Sequence, residues 1–166
     1  GVYTGLNKLN GKLYYFNDNG LVKSGLREAA GNMYFFDEKT YEAVSGWKDI
    51  EGRTYYFDPE TYAAAKGITV IEGSTYYFNS GNVLSSGMKY IDGVRYYFDP
   101  KTYRSIGGIF TVDGVTFGIK EGGGVYTGLQ EINGDLYYFN VEGNVKTGLR
   151  QIDGKMYYFD ADNYKA

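Results

Sequence analysis

Apolar and polar residues alternate along this chain in short runs that return at a fixed spacing. Residues 6–9 form one such run, Lys12–Phe16 a second, and Asn10-Gly11 separates them. Alternation with period two is the mark of a half-buried strand, and Asn-Gly between two such runs marks a hairpin closed by a type I′ turn. The unit then recurs. A Gly followed by an apolar residue stands at Gly5-Leu6, Gly25-Leu26, Gly46-Trp47, Gly67-Ile68, Gly87-Met88, Gly108-Ile109, Gly128-Leu129 and Gly148-Leu149. A second Gly follows each of these by six residues, and Asn, Asp or Glu usually precedes it; Ala30-Gly31 is the weakest of these turns. Eight copies in one frame predict an all-β chain, a β-solenoid of about eight stacked β-hairpin repeats of 20–21 residues. The single repeat array would run from 1 to 166, with copies starting near 5, 25, 46, 67, 87, 108, 128 and 148.

With a two-residue turn, Leu9, Tyr14 and Phe16 share one face of the hairpin, and Leu6, Leu13 and Tyr15 share the other. The copies test each face against itself. On the first face the Tyr14 position is Tyr in seven copies and Phe in one, and the Phe16 position is Phe in seven and Ile in one, as expected of a common core. On the second face the Leu13 position reads Leu, Met, Thr, Thr, Arg, Thr, Leu and Met. A position that accepts Arg95 touches water, so the second face is the candidate ligand surface. One hairpin of this length buries too little to stand alone, so neighbours must complete its burial.

Two irregularities carry information. Copies of 20 residues continue from the hairpin with Asn and a Gly-containing loop, as at Asn17-Asp18-Asn19-Gly20. Copies of 21 continue with Asp and end in Thr-Tyr, as at Asp58-Pro59-Glu60-Thr61-Tyr62. The sixth copy, residues 108–127, has Phe117-Gly118-Ile119 where others have Tyr-Tyr-Phe, and Gly122-Gly123-Gly124 follows. Either the array bends or decays there, or the missing aromatic opens a pocket beside its neighbour. Residues 124–129 then repeat residues 1–6 letter for letter, as if a longer repeat began again.

Composition narrows the function. The chain has 20 Tyr, 10 Phe and 25 Gly but no Cys and no His, which removes thiol nucleophiles, disulfides, the usual zinc sites and every triad that needs imidazole. A net charge of −3 without a basic run excludes an electrostatic grip on nucleic acid, and no apolar run is long enough for membrane insertion by a helix. Carboxylates recur at turn positions such as Glu51, Glu72, Asp92 and Asp153, where repetition means turn geometry; an active site needs one unique constellation. Asn17-Asp18-Asn19-Gly20 lacks the distal Glu of a calcium loop, so no metal or cofactor is expected. The chain starts in the middle of its own repeat, which points to a fragment of a longer protein.

Gly with Leu or Trp, a turn Gly, then Tyr-Tyr-Phe with Asn or Asp resembles the cell-wall-binding (choline-binding-type) repeats of Gram-positive surface proteins. That superfamily includes the glucan-binding repeats of streptococcal glucosyltransferases and the carbohydrate-binding repeats of large clostridial toxins. The resemblance covers the entire chain, in seven good copies and one poor one. It implies a hairpin-stacked solenoid, secreted or held at the cell surface, whose partner is a cell-surface or cell-wall polysaccharide. Choline-binding members carry one Trp after the first Gly and another before the Tyr-Tyr pair, which help to cage a quaternary ammonium. Here only Trp47 fits, with Thr54 as its counterpart, so the units stand closer to the glucan-binding and toxin subtypes. The expected function is a non-catalytic cell-wall or carbohydrate-binding module. The candidate carbohydrate-binding residues are Trp47, Tyr56, Tyr77, Tyr15, Tyr97, Tyr138 and Tyr158, each of which could instead pack on the next hairpin. The alternatives are a structural stalk with no ligand of its own and a choline-binding module for teichoic acid.

Overall fold

A two-residue turn of this type requires left-handed backbone at both central residues, and the computed structural model, which describes residues 1–166, has it at each of the eight turns. Asn10 and Gly11 lie at φ 51° and 81°, and even Ala30 adopts φ 50° beside Gly31. The flanking strands pair antiparallel from Leu9↔Lys12 at the turn to Gly5↔Phe16 at the open end, and the same register recurs from Ile50↔Arg53 to Gly46↔Phe57 and from Ile132↔Asp135 to Gly128↔Phe139. The chain is all-β, in eight small sheets, each built on one hairpin. The hairpins are Gly5–Leu9 with Lys12–Phe16, Gly25–Ala29 with Asn32–Phe36, Gly46–Ile50 with Arg53–Phe57 and Gly67–Ile71 with Ser74–Phe78. Gly87–Ile91 with Val94–Phe98, Gly108–Val112 with Val115–Ile119, Gly128–Ile132 with Asp135–Phe139 and Gly148–Ile152 with Lys155–Phe159 complete the set. Short third strands at Val22–Lys23, Leu84–Ser85 and Val145–Lys146 extend the first, fourth and seventh sheets.

The residues divide into two compact units, Gly1–Thr69 with Tyr77–Ser85, and Val70–Tyr76 with Ser86–Ala166. Within the first unit, Phe36, Phe57 and Phe78 are fully buried; within the second, Phe98, Ile119, Phe139 and Phe159 are. These all occupy the Phe16 position, so the first face is the core in both units. Within the units, Phe rings lean on the Tyr two residues before them, as Phe36 on Tyr34 at 6.3 Å, Phe57 on Tyr55 at 6.0 Å and Phe139 on Tyr137 at 6.2 Å between ring centroids.

Successive hairpins are also joined through the backbone. Ala43 N–H donates to Leu13 C=O at 2.9 Å and Ala64 N–H to Met33 C=O at 2.8 Å in the first unit. In the second, Ser105 N–H donates to Thr75 C=O at 2.8 Å and Gly124 N–H to Arg95 C=O at 2.7 Å. In each of these four the acceptor is the Leu13 position of the preceding hairpin, whereas between the sixth and seventh copies Gly118 N–H donates to Gly143 C=O at 3.0 Å. These bonds fix which side chains of one hairpin lie over which of the last.

The two loop lengths have one cause. In the 21-residue copies the Asp58 carboxylate accepts from the backbone N–H groups of Glu60 and Thr61 at 2.9 and 2.8 Å, and Tyr62 N–H closes back to Asp58 C=O with Tyr62 itself at φ 62°. In the 20-residue copies the Asn17 amide oxygen accepts from Asn19 and Leu21 N–H at 3.1 and 2.9 Å, and the closing bond is one residue shorter, Gly20 N–H to Asn17 C=O. Asn and Asp thus do the same capping work around loops that differ by one residue.

The sixth copy holds no pocket in place of its missing ring. A Cβ on Gly118 would lie 2.4 Å from Cε1 of Phe139, and one on Gly123 would lie 2.3 Å from Cε1 of Tyr96. The Phe139 ring of the seventh hairpin fills the space that a Tyr at position 118 would take, and the Tyr96 ring of the fifth closes on the loop at Gly123. Of the two readings open from the sequence, a pocket at the missing ring itself is excluded by the close approach of Phe139 to Gly118.

Candidate functional site

Cross-strand pairing brings the Leu6 and Tyr15 positions of one hairpin side by side on the second face. In most copies this pair is one aliphatic and one aromatic residue. In the third hairpin it is Trp47↔Tyr56, an aromatic pair with ring centroids 5.1 Å apart and planes at 63°, edge to face. Phe78 lies 6.0 Å from Trp47 and forms the buried floor. The indole stays 42% exposed, so an aromatic surface of two rings faces solvent above a third.

The other candidates are placed separately, each on its own hairpin. Tyr15 leans on Phe36 of the next hairpin at 6.2 Å, and Tyr138 on Phe159 at 6.2 Å. Tyr97 stacks on Phe110 at 3.9 Å with planes 19° apart, so one face of that ring is covered. Tyr77 is half-buried opposite Ser85 of the short third strand. Tyr158 is 63% exposed on the eighth hairpin. The structure therefore brings Trp47 and Tyr56 together, while Tyr15, Tyr97 and Tyr138 pack in succession along their units.

One set of residues was not singled out from the sequence: cations that lie over these rings. Lys48 Nζ sits 5.3 Å from the Phe35 centroid and the Arg150 guanidinium 5.1 Å from that of Tyr138. Both come from the third residue of a hairpin and cover the Tyr15-position ring of the hairpin before. In the fourth hairpin the third residue is Thr69, which carries no charge to place over Tyr56. A comparison of that one column across the copies would have exposed the difference.

Charge near the loops is set by geometry. Backbone N–H groups donating to the exposed carboxylates of Asp37, Asp58 and Asp99, chiefly from Thr40, Thr61 and Thr102, hold all three below the ordinary carboxylate range. The Glu42 carboxylate bonded to Lys12 at 2.6 Å holds that ammonium in its charged form to higher pH. These pairs repeat or lie at the rim, and none joins a nucleophile to a base, as acid–base catalysis would need.

Comparison with known proteins places the chain. The choline-binding repeat family profile matches residues 44–87 and 126–165, and the cell wall binding repeat profile matches residues 4–21. No curated protein sequence matches. Among solved structures, CbpJ from Streptococcus pneumoniae TIGR4 superposes with a TM-score of 0.75 at 22% identity, over 100% of this chain and 66% of that one. Choline binding protein F from Streptococcus pneumoniae superposes with a TM-score of 0.68 at 28% identity, over 93% of this chain and 55% of that one. Alternansucrase in complex with isomaltononaose gives 0.50 at 28% identity, over 98% of this chain and 15% of the enzyme. The chain thus spans between about half and two thirds of the first two proteins and a small part of the third.

Proposed function

The chain belongs to the choline-binding repeat family, and we propose that it is a non-catalytic module that binds glycan of a bacterial cell wall or surface. On this reading it forms part of a secreted or wall-attached protein, and the hairpins of each unit are successive turns of a β-solenoid. The observation that carries the choice of glycan is the occupancy of the second-face rings. Lys48 and Arg150 already lie over Phe35 and Tyr138, so a quaternary ammonium at those rings would meet a resident positive charge. Trp47 with Tyr56 is the pair best suited to stacking on the C–H face of a sugar ring, and nearby Asp49 and Thr54, bonded to each other at 2.6 Å, offer polar groups at its edge. Tyr15, Tyr77, Tyr97, Tyr138 and Tyr158 add weaker contacts along a polymer, where repetition raises avidity. The alternansucrase relative was solved with an isomaltose oligosaccharide, which agrees with a glucan-like ligand.

A pull-down with purified wall polysaccharide and a glycan array test this directly. Wild type should be retained, and Trp47→Ala should lose about five- to thirtyfold in affinity, since an aromatic anchor of this kind contributes roughly 1–2 kcal/mol. A blank array and an empty pull-down would defeat the glycan reading; elution from a choline resin by choline would put the quaternary ammonium in its place. The stacking of Tyr97 on Phe110 favours a second reading for the hairpins that carry it, a stiff spacer without a ligand.

A further inference from the structure

The repeat supplies its own control for detecting residues that structure alone does not demand. The fourth residue of each hairpin points to the second face near the turn; it is polar in six copies, at Lys8, Glu28, Asp49, Thr111, Glu131 and Gln151, but Val70 in the fourth and, as the one aromatic, Tyr90 in the fifth. The first residue after the turn is polar or charged in six copies but Val94 and Val115 in the fifth and sixth. The Leu13 position is charged in one copy alone, at Arg95. Three of these departures, Tyr90, Arg95 and Val115, converge. Tyr90 and Arg95 are cross-strand partners, and with Val115, Phe117 and Asp113 they line a groove of about 500 Å³ within the second unit.

Tyr90 is 72% exposed, so it is not there to fill the core. Arg95, by contrast, is pinned. Its guanidinium lies 4.5 Å above the Phe117 ring and donates from Nη1 to Glu142 C=O at 3.1 Å. A fixed guanidinium beside an exposed phenol ring, with the turn residue Asp113 also lining the groove, offers one stacking surface, one held donor group and one acceptor group. The mixed signs select the ligand. An anionic group would face Asp113, and a cation would face Arg95. A neutral sugar ring offers hydroxyls that both donate and accept, and an apolar C–H face for Tyr90.

We propose that this groove is a second carbohydrate subsite, which takes a neutral hexopyranose of a glycan chain on Tyr90 with its hydroxyls bonded to Arg95 and Asp113. It rests on the glycan-binding reading above but uses residues apart from Trp47 and Tyr56. Titration of the ¹⁵N-labelled chain with isomaltotetraose and, separately, with chitotetraose tests it by backbone amide shifts. At least one of the two should shift Tyr90, Arg95, Asp113 and Val115. Tyr90→Ala, at an exposed site and so folded like wild type, should weaken those shifts by about three- to tenfold in Kd while the Trp47 region responds as before. Binding should change little between low and high salt, as expected for a neutral ligand. Shifts confined to Trp47 and Tyr56 would overturn the groove and leave the glycan reading standing. Silence at both regions would overturn both, and a stronger response of the groove to a hyaluronan tetrasaccharide than to either neutral sugar would overturn the assignment of a neutral ring.

Discussion

Gly118→Ala adds one methyl group to a strand and should destabilise the protein more than its size suggests. Gly118 pairs with Ile109 one position in from the open end of the sixth hairpin and is buried. Its φ is not in the left-handed region, so the backbone accepts Ala, and in open space the exchange would gain about 0.5–1 kcal/mol from reduced unfolded-state entropy. The space is not open. The new Cβ would lie 2.4, 2.7 and 3.0 Å from three atoms of the Phe139 ring, whereas carbon atoms rest roughly 3.5–4.0 Å apart. The ring must move by about 1 Å. Phe139 is 1% exposed and held between Tyr126 at 5.9 Å and Tyr137 at 6.2 Å, so the strain spreads into the core. Overpacking of this kind costs about 1–3 kcal/mol, which leaves a net loss of roughly 1–2 kcal/mol. Urea denaturation should show it as a midpoint lower by about 0.5–1 M, with unchanged slope. Gly118→Tyr, which restores the ring that most other copies carry, should be worse still. In the Gly118→Ala/Phe139→Leu double variant the Ala should cost less than half of what it costs alone. A Gly118→Ala midpoint equal to or above wild type, or a well-folded Gly118→Tyr, would refute the claim that Phe139 occupies this space.

Two further expectations concern the turns and loops. Ala30 is the only turn residue without a polar side chain at its position, and it sits at φ 50°, where Asn is at less cost; Ala30→Asn should stabilise the chain by about 0.5–1 kcal/mol in urea melts. The carboxylates of Asp37, Asp58 and Asp99 are held below their ordinary value of 3.8 by backbone N–H groups, so the stability they add is present above that value and is lost as pH falls through their lower folded values. The Asp37→Asn/Asp58→Asn/Asp99→Asn variant keeps the acceptor oxygens, as Asn17, Asn79 and Asn140 do. It should melt within a few degrees of wild type at pH 7 and depend less on pH below about 4, as thermal melts from pH 2 to 7 would show.

Much of the fold was legible because the forces that build a hairpin are local. Asn10-Gly11 and its seven counterparts specify the turn through the two left-handed residues it needs, and once the turn is fixed, the register and both faces follow by counting in twos. The buried Phe column was readable for the same reason: a residue on the core face tolerates few replacements, and eight copies show which ones vary. The loop lengths were legible as two classes, but not their closing bonds, since an Asp or Asn cap serves either length.

The sixth copy and the site were less legible, because both depend on how one hairpin lies over another. Gly118 reads as a deletion until Phe139 is seen to fill the gap from the next repeat. Lys48 and Arg150 read as ordinary solvated charges until the backbone bond to the Leu13 position sets the offset that carries them over the preceding rings. Periodicity within a repeat gives no measure of that offset. It does show where a copy departs from its siblings, and the departures at Trp47, Tyr90 and Arg95 fall where the structure leaves aromatic surface exposed beside fixed polar groups. A core position varies only within apolar residues, and a solvated position varies freely among polar ones. The exposed rings at Trp47 and Tyr90 fit neither rule, and stacking on a ligand is a contact outside the fold that would account for them.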